Sequence, residues 1–76
     1  MKSREELIFI RAVGARIKLL REKKGMSQEY LAYDAHVTQS TVSAYETGAR
    51  AQSIYILYRF AKSLGCNVKD FLYLPN

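Results

Sequence analysis

The chain has 76 residues, of which 49% are hydrophobic, with 12 Lys/Arg against 7 Asp/Glu for a net charge of +5. That length holds one domain with one small core and leaves little room for a catalytic cleft, and the hydrophobic content is too high for a disordered chain. The single cysteine, Cys66, excludes an intramolecular disulfide and a cysteine-based zinc site, while the basic excess suits a polyanionic partner.

No stretch approaches the ~18 consecutive apolar residues of a membrane span. The opening run Met1-Lys2-Ser3-Arg4-Glu5-Glu6 lacks the basic-then-apolar order of a secretory signal. Together with the cysteine usage, this leads to the expectation of a cytoplasmic protein without membrane association. Ser3, followed three residues later by Glu6, forms a capping-box pattern, and Ile10, Val13, Ile17 and Leu20 then recur at helical spacing as far as Gly25. The spacing predicts a first helix over about 4–24. Residues 1–25 carry eight basic and three acidic side chains, so this helix holds much of the positive charge. Leu7-Ile8-Phe9-Ile10, in its first part, suits either the core or a partner surface.

Ser27 is a good N-cap for a short second helix, Gln28 to Ala35, with Leu31 and Ala32 inward. A turn of His36-Val37-Thr38 leads into a third helix, capped by Thr38, with Val42 and Tyr45 inward and Gly48 as its stop. Gly48 to Gln52 reads as a loop. Ser53 then caps a fourth helix, with Ile54, Leu57, Ala61 and Leu64 on its inner face, and Asn67 caps a last short helix through Leu72. The expected fold is all-α, a compact five-helix domain. Its expected divisions are 1–15 for the extension and the start of the first helix, 16–72 for the domain proper, and 73–76 for a C-terminal tail.

Two short helices joined by a tight turn across Gln28 to Thr47 form a helix-turn-helix. The first braces the second, small Ala32 permits a close crossing, and Val37, Val42 and Tyr45 fill the angle. Gln39, Ser40, Ser43 and Ala44 are left facing outward. Such short, neutral, hydrogen-bonding side chains suit a helix lying in a DNA major groove about 12 Å wide. Gln39 is able to bridge N6 and N7 of adenine, Ala44 and the Thr38 methyl can touch a thymine methyl, and Ser40 and Ser43 can donate or accept at bases or phosphate.

Residues 16–72 resemble the Cro-and-repressor, or Xre-like, helix-turn-helix family. The likeness lies in Arg16-Ile17-Lys18-Leu19-Leu20-Arg21, Gly25 through Ala32, Val37 through Arg50, and Phe60-Ala61-Lys62-Ser63-Leu64-Gly65. It implies a lambda-repressor-like fold with base-reading residues at Gln39, Ser40 and Ala44, flanked by Thr38 and Ser43. It also implies a phosphate contact from Gln28, a contact of Arg50 with the backbone or the minor groove, and a structural pair of Arg21 with Glu46; Thr41 is expected among the phosphate contacts as well. Two positions depart from the family pattern. His36 stands where a left-handed turn usually holds glycine, which gives it a structural role as well. The proline that often follows the Arg50 loop is replaced by Ala51-Gln52, which leads to the expectation of a more mobile loop.

No carboxylate pair, nucleophile-base set or phosphate loop appears, so no enzyme activity, cofactor or metal is expected, and His36 has no second ligand at metal spacing. Cys66 reads as a small core filler. The six tyrosines are expected mostly at packing positions. Tyr55, Tyr58, Phe71, Tyr73 and Leu74 nonetheless exceed what so small a core needs, which points to homodimerisation through the fourth and fifth helices and the tail. The reading is a transcriptional repressor binding double-stranded DNA at a palindromic operator, with no small-molecule effector evident. An antitoxin or a restriction-modification controller would use the same scaffold, and a protein-interaction module would keep the fold without reading DNA.

Overall fold

The computed structural model describes residues 1–72. Four α-helices and a final 3-10 helix follow in chain order: α1 (Arg4–Lys23), α2 (Gln28–Ala35), α3 (Gln39–Thr47), α4 (Ile54–Leu64) and α5, the 3-10 element (Val68–Leu72). There is no strand among the described residues.

Local chemistry sets nearly every boundary. Ser3, Ser27, Thr38 and Ser53 adopt extended backbone, and each side-chain oxygen accepts the amide N–H three residues on, meeting one of the donors a helix start leaves unpaired. α2, α3 and α4 end on left-handed residues. At the end of α3 the left-handed residue is Gly48, whereas at the end of α2 it is His36 with φ 60° and ψ 43°, the conformation expected of the turn. Its N–H still closes the helix on Tyr33 and the next N–H, of Val37, reaches Ala32, so the turn is held by backbone bonds despite its side chain.

The core forms where these helices cross. Val13 and Ile17 of α1, Leu31, Ala32 and Ala35 of α2, Val42 and Tyr45 of α3, Leu57, Phe60, Ala61 and Leu64 of α4, and Phe71 of α5 form one buried cluster. Leu20, Val37 and Cys66 are half-buried against it. Tyr45 meets Phe60 edge to face at 5.8 Å, within the range such rings favour. Arg16 ties α1 to α5 by donating from Nε to the Asp70 carbonyl at 2.8 Å.

The fold departs from the sequence reading at several points. Ile54 is 69% exposed, because it lies in the first turn of α4, ahead of the point where that helix meets the core; Phe60 takes the inner position instead. Tyr30, Tyr33, Tyr55 and Tyr58 are exposed too, so of the described tyrosines only Tyr45 is a packing residue. The final element is 3-10 rather than α, and the bond at its start runs from the Asn67 N–H to the Asp70 carboxylate instead of from Asn67 as a cap. The loop after α3 is anchored: the Gln52 amide donates to the carbonyls of Ile10 (2.9 Å) and Tyr45 (3.0 Å), and the Ser53 N–H donates to the Tyr45 hydroxyl. These bonds tie the loop to α1 and α3. In the N-terminal run Ile10 joins the core, while Leu7, Ile8 and Phe9 remain at the surface. Tyr73, Leu74 and the tail 73–76 lie outside the described residues.

Candidate nucleic-acid interface

α3 is nine residues long and divides into two faces. Val42 and Tyr45 are buried in the core, and Glu46 is buried in polar surroundings. Gln39 and Ser40 are exposed, and Ser43 and Ala44 are half-buried on the same side. This is the division a recognition helix requires: an apolar seam on the domain and a short polar stripe that lets a groove wall approach. Thr38 is exposed at the start of the helix, its hydroxyl within 3.1 Å of that of Ser40 and 3.0 Å of that of Thr41. Thr41, expected among the phosphate contacts, is 8% exposed and hydrogen-bonded to Thr38 in the first-turn cap.

The inner polar side of α3 is fixed by a network across three helices. Arg21 of α1 and Glu46 of α3 form a two-pronged ion pair, Nε to Oε2 at 2.6 Å and Nη2 to Oε1 at 3.1 Å, while Nη1 donates to the Met26 carbonyl at 2.7 Å. The side chains are 9% and 2% exposed, so the pair is shielded from water and its fork geometry is retained. The hydrogen bond to Glu46 raises the Arg21 pKa above its ordinary value, against the opposing effect of burial. Gln28, the first residue of α2, joins the same carboxylate, with Nε2 donating to Oε1 of Glu46 at 3.0 Å. No buried side-chain nitrogen or oxygen among the described residues lacks a partner.

Arg50 is exposed in the loop after α3, its guanidinium carbon 5.6 Å from the centre of the Tyr45 ring. That contact carries the side chain on an aromatic face while leaving the charge at the surface. His36 lies at the turn, on the wall of a shallow open cleft of about 400 Å3 between the end of α2 and α4, with Arg59, Lys62 and Asp34. The described residues contain no group of three His, Cys, Asp or Glu side chains placed to hold a metal ion. Sequence reasoning identified Arg21, Glu46, His36 and the outward stripe, but missed two residues that place α3. Gln52 gives no local signal, because its partners are 7 and 42 residues away. Gly14, buried in α1, is the other; a Cβ there would lie 2.6 Å from the Glu46 carbonyl oxygen and closer still to that of Tyr45. A glycine within an otherwise regular helix was its only mark.

A family model for the helix-turn-helix matches residues 17–71. The chain belongs to the Xre-like helix-turn-helix family of DNA-binding transcription regulators. Among curated proteins it is similar to the competence pilus inhibition repressor of Acinetobacter baylyi, with 32% identity over 62 residues, 82% of this chain. It spans about half of that relative's length, 56%. Among solved structures it is similar to the restriction-modification controller protein C.AhdI of Aeromonas hydrophila, with TM-score 0.79, 31% identity, and coverage of 82% of this chain and 94% of the other. The clp gene regulator ClgR of C. glutamicum superposes with TM-score 0.80 and 30% identity, covering 84% and 83% of the two chains. No helix among the described residues of this family member is long and apolar enough to cross a membrane.

Proposed function

We propose that this helix-turn-helix protein is a sequence-specific transcriptional regulator, a repressor that binds a palindromic operator in double-stranded DNA as a homodimer. The observation that carries this reading is the two-faced α3: Gln39, Ser40, Ser43 and Ala44 on the outside, the core and the Arg21–Glu46 pair on the inside. In this reading Gln39, Ser40, Ser43 and Ala44, with Thr38 at the helix start, touch base edges. Gln28 and Arg50 hold the phosphate backbone, and the positive end of the α2 dipole adds to the attraction for an anion. In the same reading Thr41, buried against Thr38, shapes the first turn beside them.

Repression is supported by similarity to a protein named as a competence pilus inhibition repressor, and dimerisation by physical need as well as by surface. One such module covers a half-site, and useful specificity requires two recognition helices about 34 Å apart. Ile54, Tyr55, Tyr58 and Leu72 are exposed on α4 and α5, which gives a second copy an apolar surface to bury. A restriction-modification controller is the second reading, favoured by the match to 94% of a controller of that kind. The test is the Gln39→Ala variant, measured against a selected operator and its single-base variants. Loss of a two-pronged base contact lowers discrimination by ~1–3 kcal/mol at one base step. An unchanged preferred sequence and an unchanged affinity would remove α3 from the reading role.

A further inference from the structure

We infer that Glu46 is a positioning residue for DNA binding, acting through Gln28: the buried carboxylate holds the Gln28 side-chain amide as an oriented donor at the start of α2. This inference rests on the proposal that Gln28 meets a backbone phosphate. The Gln28 amide has two faces of opposite character, a carbonyl that would repel a phosphate and an NH2 that would bind it. An ionised carboxylate accepts hydrogen bonds only, so the 3.0 Å contact between Glu46 Oε1 and Gln28 Nε2 fixes which end of the amide faces α3. It engages one of the two amide N–H bonds. The other stays on the same nitrogen at a set angle, so rotation about the last side-chain bond is lost before DNA arrives.

Arg21 makes this arrangement tolerable beside a polyanion. A lone buried carboxylate near the start of α2 would repel phosphate, but the Arg21 guanidinium takes both Glu46 oxygens, at 2.6 Å and 3.1 Å. The three residues lie on three helices, so the backbone clamp of α2 and the reading helix α3 share one buried anchor. A phosphate bound at Gln28 is thereby registered against the same residue that fixes the last turn of α3.

The test is a double-mutant cycle on operator affinity with Gln28→Ala and Glu46→Asp, the aspartate keeping the charge for Arg21 while its shorter side chain withdraws from Gln28. Gln28→Ala is expected to weaken binding about tenfold, the loss of a hydrogen bond to a charged group. Glu46→Asp weakens it several-fold alone and has no further effect once Gln28 is alanine. Equal losses from Glu46→Asp in both backgrounds would overturn the inference and leave Glu46 a purely structural residue. No loss from Gln28→Ala would instead remove the phosphate contact itself. Should Glu46→Asp fail to fold, the native protein still decides. Without DNA, the Gln28 side-chain 15N order parameter should match that of the backbone, about 0.85, and a value below about 0.6 would show that the amide is not held.

Discussion

Replacing Gly14 with alanine separates what helix propensity predicts from what the packing requires. In a helix interior alanine is favoured over glycine by about 1 kcal/mol, so local reasoning expects a more stable protein. The structure reverses the sign. The new methyl would lie 2.6 Å from the carbonyl oxygen of Glu46 and closer to that of Tyr45, and both are backbone atoms of α3 with no rotamer to change. Overpacking costs about 1–3 kcal/mol, and with backbone on both sides the upper end applies. Set against the propensity gain, the net loss is about 2 kcal/mol, which for a domain of this size lowers Tm by about 8–16 °C. Because α3 must move away from α1, operator affinity should fall by more than the unfolded fraction accounts for. Thermal and guanidinium unfolding followed by circular dichroism measure the first effect, and titration of labelled duplex well below Tm measures the second. Gly25→Ala is the control: its φ is +73° but nothing lies within 4 Å, so it carries only a backbone penalty of about 1 kcal/mol. A Tm for Gly14→Ala at or above that of the parent would refute the close crossing of α1 and α3.

Other perturbations follow from the same geometry. His36→Gly removes the side chain from a left-handed position and should raise Tm by a few degrees, a gain of about 1 kcal/mol; an unchanged or lowered Tm would contradict the turn geometry. Arg21→Ala leaves the 2% exposed Glu46 carboxylate without its partner and should cost about 3–5 kcal/mol in denaturant unfolding. Arg50→Ala should weaken specific and scrambled duplexes alike and flatten the slope of log affinity against log salt by about 1, since one phosphate contact is lost. Burial pushes the Cys66 thiol up from its ordinary pKa, with Asp70 adding to the effect, so less thiolate is present at a given pH. Alkylation of Cys66 by iodoacetamide at pH 8 should be slower than that of a free cysteine, and equal rates would place the thiol in open solvent.

What the sequence made legible is what is local. Ser3, Ser27, Thr38 and Ser53 bond three residues ahead, and Gly48, Gly65 and His36 stop their helices through their own φ. Such features can be read within a window of four or five residues. The Arg21–Glu46 pair spans 25 residues and was foreseen through resemblance to a family, because spacing alone does not join α1 to α3. Gly14, Gln52 and the Gln28–Glu46 bond were not legible, since each depends on which helix lies opposite. The periodicity of α4 also misled at one position: Ile54 fits an apolar pattern as well as Phe60 does, and only the crossing of α2 and α1 selects Phe60, with Leu57, for the core. The outward stripe of α3 was visible because the inward residues of a helix-turn-helix are few and fixed, which leaves the rest by subtraction.

The central claim is that α3 reads base sequence, and the most direct test is selection of binding sites from random duplex DNA, followed by affinity for the selected and a scrambled duplex across a salt series. The account predicts a palindromic site bound at least ~10³-fold more tightly than the scrambled control, with the preference persisting as salt rises. Weak binding that is equal for both duplexes and abolished by salt would contradict it, reducing the interaction to attraction between a basic surface and phosphate.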